Sequence, residues 1–444
     1  MSDSDLGLPR NLGDGLVLRW GRPADAEELG VFNVRLHSDT PEEPEEFLAN
    51  WTRDLMGGAH PTTSAGDFTV VVDEKNGGKI VSSMNLISQT WTYDGVPFGF
   101  GRPELVATDD DYRRRGLVRA QFEAIHARSA AKGELVQGIT GIPWYYRQFG
   151  YEMALELGGS RAFFWGRPGN DKGVEKEPYQ LRPATPADLP RLEELYTSHC
   201  AGSLLTRRRD RAIWQYELFA ADRESPYARH VYVVTTDAAT PVGYVEYRLW
   251  KHFFSVRELG VLPDHSLRAV GLFLTRAFKQ QADELNKARE KPIDHINFNL
   301  GVAHPLYEAL ERELEQQRKP YAWFIRVPDL PAFLWHIAPA LARRLASSVI
   351  AGYTGALKVN FYVTQLKVDF KDGKLVDVGP YIPEHFFDAD AFFPDLTFLQ
   401  LLFGYRSLDE LNYARVDCYA NNADAAVLLN TLFPKQHSWV VELG

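Results

Sequence analysis

The stretch ELVATDDDYRRRGLVRAQFEAIHA, residues 104–127, decides how the chain is read. ELVAT is a strand segment, and from Leu117 onward Val118, Phe122 and Ile125 recur at helical spacing and would face a core. Between strand and helix stand Arg113, Arg114, Arg115 and Gly116. That order suits a pyrophosphate. The free N–H groups of a first helical turn point outward, the helix dipole favours negative charge, and a glycine removes the Cβ that would keep an anion from the backbone. Arginines add charge and forked donors. In isolation the run reads as a solvated basic turn balanced by Asp109, Asp110 and Asp111; the strand and helix around it favour the anion cradle.

Outward from this point the first 150 residues alternate strand and helix. Leu16 to Arg19 reads as a strand and Pro23 to Leu36 as a helix opened by proline and acidic residues. FTVVV (68–72) and KIVSSMNL (79–86) form a hairpin through Asn76-Gly77, and Asp94-Gly95 marks a second turn. A helix runs to about Lys132, and ELVQGITGI (134–142) is a further strand. The Gly-, Pro- and charge-rich segment 165–179 reads as a linker, with LRWGRPADAEELGVF before it and LRPATPADLPRLEELY after it. Both repeat strand, Pro-Ala-Asp turn and helix, which predicts an internal duplication. At equal distances from Glu104 and Glu258, Arg113, Gly116 and Val118 become Leu267, Val270 and Leu272, so the second copy lacks the cradle. From Asp329 the pattern changes to one helix-like stretch, LPAFLWHIAPALARRLA, alternating strands and short apolar helices, as in a separate α+β domain.

The 444 residues exceed what one core usually serves. A net charge of −10 disfavours nucleic acid and anionic membrane surfaces and favours cationic partners. Cys200 and Cys418 have no Cys or His at ligand spacing, which predicts neither a disulfide framework nor a metal site. With no apolar run of spanning length and no secretory start, the expected setting is soluble and cytoplasmic. No G-x-G-x-x-G or Walker lysine loop follows any strand, which tells against a nucleotide-binding Rossmann fold.

RRRGLV resembles the Arg/Gln-x-x-Gly-x-Gly/Ala acyl-CoA loop of the GNAT N-acetyltransferases, with Val118 in place of the usual small last residue. RRRGL followed by a bulky aliphatic residue and an arginine looks like the loop of the enhanced intracellular survival (Eis) branch of that family. The resemblance implies two tandem GNAT-type mixed-sheet domains followed by a sterol carrier protein-like α+β domain, over 1–165, 166–328 and 329–444. It implies acetyl-CoA as cosubstrate. Val106, Ala107 and Thr108 would hold the pantetheine arm, and Arg114, Arg115, Gly116, Leu117, Val118 and Arg119 the pyrophosphate and adenosine end, with Gly141 and Ile142 contributing from the next strand.

WYYRQFGYE (144–152) resembles the family's Tyr-x-Arg-Phe-Gly-Tyr box, and aligning Phe149-Gly150-Tyr151 assigns the general acid to Tyr146. Aminolysis of a thioester needs such a donor for the leaving thiolate and a base for the attacking ammonium. Two groups compete for the base: the terminal carboxylate of Gly444, by resemblance, and Glu104 at the start of the strand entering the loop. The expected acceptor is a primary amine on a polycationic small molecule, of aminoglycoside or polyamine type, or on lysine; the alternative is a non-catalytic acyl-CoA sensor or lipid-binding module. The resemblance also implies a symmetric homo-oligomer, trimer or hexamer. His37 and His126 read as surface or packing histidines, and Arg207-Arg208-Arg209 as a solvated or ion-paired helix face.

Overall fold

In the computed structural model, residues 7–166, 175–226 and 228–441 are described. Seven strands of the first half alternate with three helices: β1 (Arg10–Gly13), β2 (Leu16–Trp20), β3 (Phe68–Asp73), β4 (Lys79–Tyr93), β5 (Val96–Thr108), β6 (Val136–Ile139) and β7 (Glu152–Leu157). β1 to β5 form an antiparallel meander. Asp94 and Gly95 turn β4 into β5 with φ of 48° and 81°, the left-handed pair whose twist matches a two-residue hairpin. α1 (Ala26–His37) and α2 (Phe47–Met56) cover one face, packing Leu29, Phe32 and Leu55 against Val70, Ile87 and Leu105. α3 (Leu117–Ala131) covers the other, with Leu117, Phe122 and Ile125 on Val71, Met84 and Leu86.

The second half repeats this plan with β8 (Arg161–Phe164), β9 (Tyr179–Pro183), β10 (Leu205–Arg207), β11 (Val231–Thr236), β12 (Pro241–Trp250), β13 (Phe253–Val261), β14 (His295–Phe298) and β15 (Tyr321–Arg326). Its helices are α4 (Leu189–Cys200), α5 (Arg211–Gln215), α6 (Leu267–Asn286) and α7 (Leu306–Ala309). The two sheets exchange strands. β15 lies between β6 and β7 in the first sheet, β10 extends β4 of that sheet, and β8 closes the edge of the second sheet beside β14. Sequence order and sheet order thus part at the linker. Trp323 of β15 is fully buried, edge-on to Trp91 at 5.6 Å and beneath the Arg102 guanidinium at 5.0 Å.

The arginine run at 207–209 alternates rather than forming a helix face. Arg208 is exposed, while Arg207 and Arg209 are buried and reach Glu217 at 2.6 Å each, with Arg209 also 2.8 Å from Glu258. The cause is the period of two that extended backbone imposes. In the last segment β16 (Gly355–Asn360), β17 (Gln365–Lys371), β18 (Lys374–Pro380), β19 (Ala391–Phe392) and β20 (Tyr419–Ala420) form a five-stranded sheet ordered β18-β17-β16-β19-β20. The expected single helix there is two, α8 (Leu330–His336) and α9 (Ala338–Ala346), parted at Ile337. Pro339 has no N–H to donate and its ring crowds the preceding turn. α10 (Phe398–Leu402), α11 (Leu408–Ala414) and α12 (Ala423–Leu432) complete the segment. Among the described residues no helix is long and apolar enough to cross a membrane.

Two predictions follow from this packing. Trp323→Ala lowers stability by roughly 3–5 kcal/mol in denaturant unfolding; a loss below about 1 kcal/mol would mean that β15 does not complete the first sheet. Burial pushes His60 down to about 4 and His304 down to about 3. Above pH 6.5 each is neutral in folded and unfolded chains alike, and below it only the unfolded chain takes up the proton. Stability is therefore lost as pH falls from 6.5, by roughly 2 kcal/mol per group at pH 5, which denaturant titrations at pH 7 and pH 5 measure. Replacing His304 with Asn flattens that dependence.

Candidate active-site cleft

β5 carries an irregularity that shapes everything beyond it. Ser83 stands opposite Ala107 and Asn85 opposite Glu104, so Leu105 and Val106 together face Met84. Leu105 takes a left-handed φ of 51°. Such a bulge adds one residue, bends the strand and re-aims the groups that follow. Further back, β5 pairs with β6 in parallel at Phe100 with Val136 and Gly101 with Gln137, and β6 turns its remaining residues to β15. The strands part there, and a cleft of about 740 Å³ opens between them and α3.

The loop after β5 is held from beneath. Burial raises the Asp109 carboxyl, but ion pairs with Lys79 at 3.1 Å and Arg35 at 2.9 Å hold it below the usual range. Asp109 also accepts from the Asp111 amide at 3.3 Å, fixing the turn that precedes the arginines. Arg114 and Gly116 are left-handed, with φ of 62° and 76°, and α3 begins at Leu117 without a side-chain cap. Its first amides are therefore open to the cleft. In the second half α6 starts four residues earlier relative to Glu258 than α3 does relative to Glu104, and Ser266 caps it by accepting from the Ala269 amide at 3.2 Å. The same helix end is spent there on the protein itself.

Nine residues expected at the cofactor line the cleft: Val106, Ala107, Thr108, Arg114, Gly116, Leu117, Val118, Arg119 and Ile142. Arg115 turns aside, with its guanidinium 5.0 Å over the Tyr112 ring and donating to the Asp111 carbonyl at 3.1 Å. Gly141 is exposed and does not line the cleft; its φ is 109°, and a Cβ there would come 3.9 Å from the Tyr146 hydroxyl. Leu36, His37, Tyr112, Arg113, Tyr145, Gln148 and Phe149 also line the cleft, and sequence reasoning missed them as a group. Arg113 could have been found from its place in the run. His37 could not, because it arrives from the end of α1, some 70 residues before the loop.

Tyr146 is the second residue of a 3-10 turn, Tyr145–Phe149, bracketed by Trp144 and Gly150 at φ of 66° and 83°. Its ring is buried against Phe122 and Phe324. Burial, then the charge of Glu104, push its hydroxyl pKa well up, so it stays protonated at neutral pH. Tyr145, and not Tyr146, lines the cleft. Glu104 lies behind the bulge, where one carboxylate oxygen takes both Nε and Nη2 of buried Arg102 at 2.9 and 2.5 Å. The other meets the Leu105 amide at 3.4 Å. His126 bonds the Tyr151 hydroxyl at 2.9 Å and is pushed down by burial to about 3, as a packing histidine would be. His37 is the exception to that reading, since it lines the cleft. Gly444 lies outside the described residues; before it, the Trp439 amide donates to the Leu205 carbonyl at 2.9 Å.

Comparison with known proteins follows the same line. No curated protein matches the chain. Among solved structures, a conserved protein of unknown function from Enterococcus faecalis V583, described as a probable N-acyltransferase, superposes with a TM-score of 0.69 at 15% identity, over 96% of this chain and 98% of that one. A GCN5-related N-acetyltransferase from Anabaena variabilis gives 0.63 at 15% identity, covering 96% and 99%. Eis1 from Mycobacterium abscessus gives 0.59 at 17% identity, covering 96% and 99%. At such identities the likeness is one of fold. The model of the acetyltransferase (GNAT) domain matches residues 39–154, and so the segment that supplies β3 to β6, the arginine loop and the tyrosine turn is an acetyltransferase domain of the GNAT type.

Proposed function

We propose that the chain is an acetyl-CoA-dependent N-acetyltransferase for primary amines, borne by polycationic small molecules of aminoglycoside or polyamine type or by lysine. The observation that carries this reading is the uncapped start of α3 at Gly116, flanked by Arg113, Arg114 and Arg119, in a cleft that Ile142 and Tyr145 also line, the neighbours in sequence of Gly141 and of the buried Tyr146. Amides and guanidinium groups together suit a diphosphate. The parted strands offer main-chain groups to an amide-bearing arm, and the bulge at Leu105 and Val106 aims backbone toward a developing oxyanion.

The proton inventory then fixes the roles. An ammonium must lose one proton before its nitrogen attacks the thioester carbon; as the C–N bond forms and the C–S bond breaks, a second proton ends on the CoA sulfur. Tyr146, kept protonated by its burial, delivers that second proton. A net charge of −10 draws polycations toward the protein. The lipid-binding alternative has its own space in the last segment: the interior cavity enclosed by Leu334, Leu357, Phe370 and Leu432 is only about 10 Å³, but a second one of about 370 Å³ is lined by Leu330, Phe361, Leu366, Leu396 and Leu399.

Thiol release from acetyl-CoA with a panel of amines tests the reading, and uptake of CoA by calorimetry without turnover would favour a sensor. Tyr146→Phe lowers kcat by about 10²- to 10⁴-fold while leaving CoA affinity and thermal stability near wild type, whereas Tyr145→Phe spares kcat; full turnover in the Tyr146 variant would remove it as the acid. Gly116→Ala meets nothing within 4 Å in the fold. It therefore costs only about 1–2 kcal/mol for its left-handed backbone, yet weakens CoA at least tenfold in calorimetry.

A further inference from the structure

Burying the reacting nitrogen leaves the first proton without an obvious acceptor, because Glu104 faces Arg102. We infer that His37 is the group that takes the proton from the substrate ammonium, with Glu104 behind it stabilising the imidazolium. This rests on the acetyl-transfer reading above. His37 closes α1 and lines the cleft together with Val106, Ala107 and Tyr145. Its Nε2 is buried without a hydrogen-bond partner, and the ring interacts with the Leu105 backbone and the Glu104 charge while lining the cleft.

Glu104 is poorly placed to accept the proton itself. Its Oε2 is engaged by two donors of Arg102, a residue 1% exposed and held over the Trp323 ring. A carboxylate in that state suits a fixed counter-charge, and an imidazole between it and the cleft suits a proton acceptor. Burial lowers the His37 pKa below its ordinary 6.5, against the opposing pull of Glu104 and the Leu105 carbonyl, so the ring is neutral at pH 7 and has a lone pair to use. The other charged or titratable groups lining the cleft with it are Tyr112, Arg113, Arg114, Arg119 and Tyr145. The arginines disfavour a resident imidazolium, and they would be screened once a diphosphate lies among them. The step balances: the ammonium N–H bond breaks, the proton moves to the His37 imidazole, and from there it passes to water, while the second ammonium proton ends on sulfur through Tyr146.

The full chain, assayed with acetyl-CoA and spermine, kanamycin or a lysine peptide, decides the matter. In the wild type kcat/KM is flat from about pH 7 and falls along an acidic limb below 6.5. His37→Gln lowers kcat/KM at pH 7 by about 10²- to 10⁴-fold and replaces the plateau with a tenfold rise per pH unit toward the amine's own pKa, with CoA affinity unchanged. Imidazole added to His37→Ala restores part of the rate, which a packing role would not allow. An unaltered pH profile in both variants overturns the inference and leaves acetyl transfer standing. No thiol release by the wild type with any of the three amines overturns the acetyl-transfer reading and this inference with it.

Discussion

Two residue pairs, Phe100 with Val136 and Gly101 with Gln137, join β5 to β6, and everything functional depends on the ladder being that short. Glycines make the junction tight. A Cβ on Gly101 would stand 2.3 Å from a Glu134 oxygen and 2.6 Å from the Ser129 hydroxyl, and one on Gly138 would strike Phe100 at 2.4 Å. The strands are clamped at one end by this close packing and released at the other, where α3 begins. Backbone groups so released must find partners, and a cleft beside an uncapped helix gives those partners a place to be a ligand rather than the protein.

The second half shows what becomes of the same plan when that demand is met internally. Ser266 caps α6, and Glu258, the counterpart of Glu104, is locked by Arg209 with the Tyr244 hydroxyl 3.3 Å away. His304 reads the Leu259 carbonyl at 3.1 Å, and Trp439 lies edge-on to His199 at 4.3 Å. The open helix end and the glutamate of the first half thus have, in the second, counterparts that the protein itself occupies.

Much of this was legible in the residues. The hairpins at Gly77 and Asp94-Gly95 announce themselves because left-handed turns admit few residue types, and the RRRG loop is legible because strand, glycine and helix follow one another without a break. Nine of the eleven residues expected at the cofactor lie in the cleft for that reason. What sequence could not supply is long-range: no local pattern tells that Tyr321–Arg326 enters the first sheet or that Arg207 and Arg209 turn inward to Glu217. The bulge at Leu105 was equally silent, since leucine has no preference for a left-handed backbone, and His37 reached the site through the tilt of α1 rather than through any motif.

The exchange of β8 and β15 ties biosynthesis to architecture. As the chain leaves the ribosome, β6 and β7 emerge with the place between them unfilled until Tyr321–Arg326 arrives, while β8 waits for β14. Neither half can settle as a finished unit ahead of the other, and such late, distant pairings fold slowly and leave unpaired strand edges exposed meanwhile. The reward is permanence: once closed, each half holds a strand of its neighbour, and the two cannot swing apart as hinged lobes without unravelling a sheet.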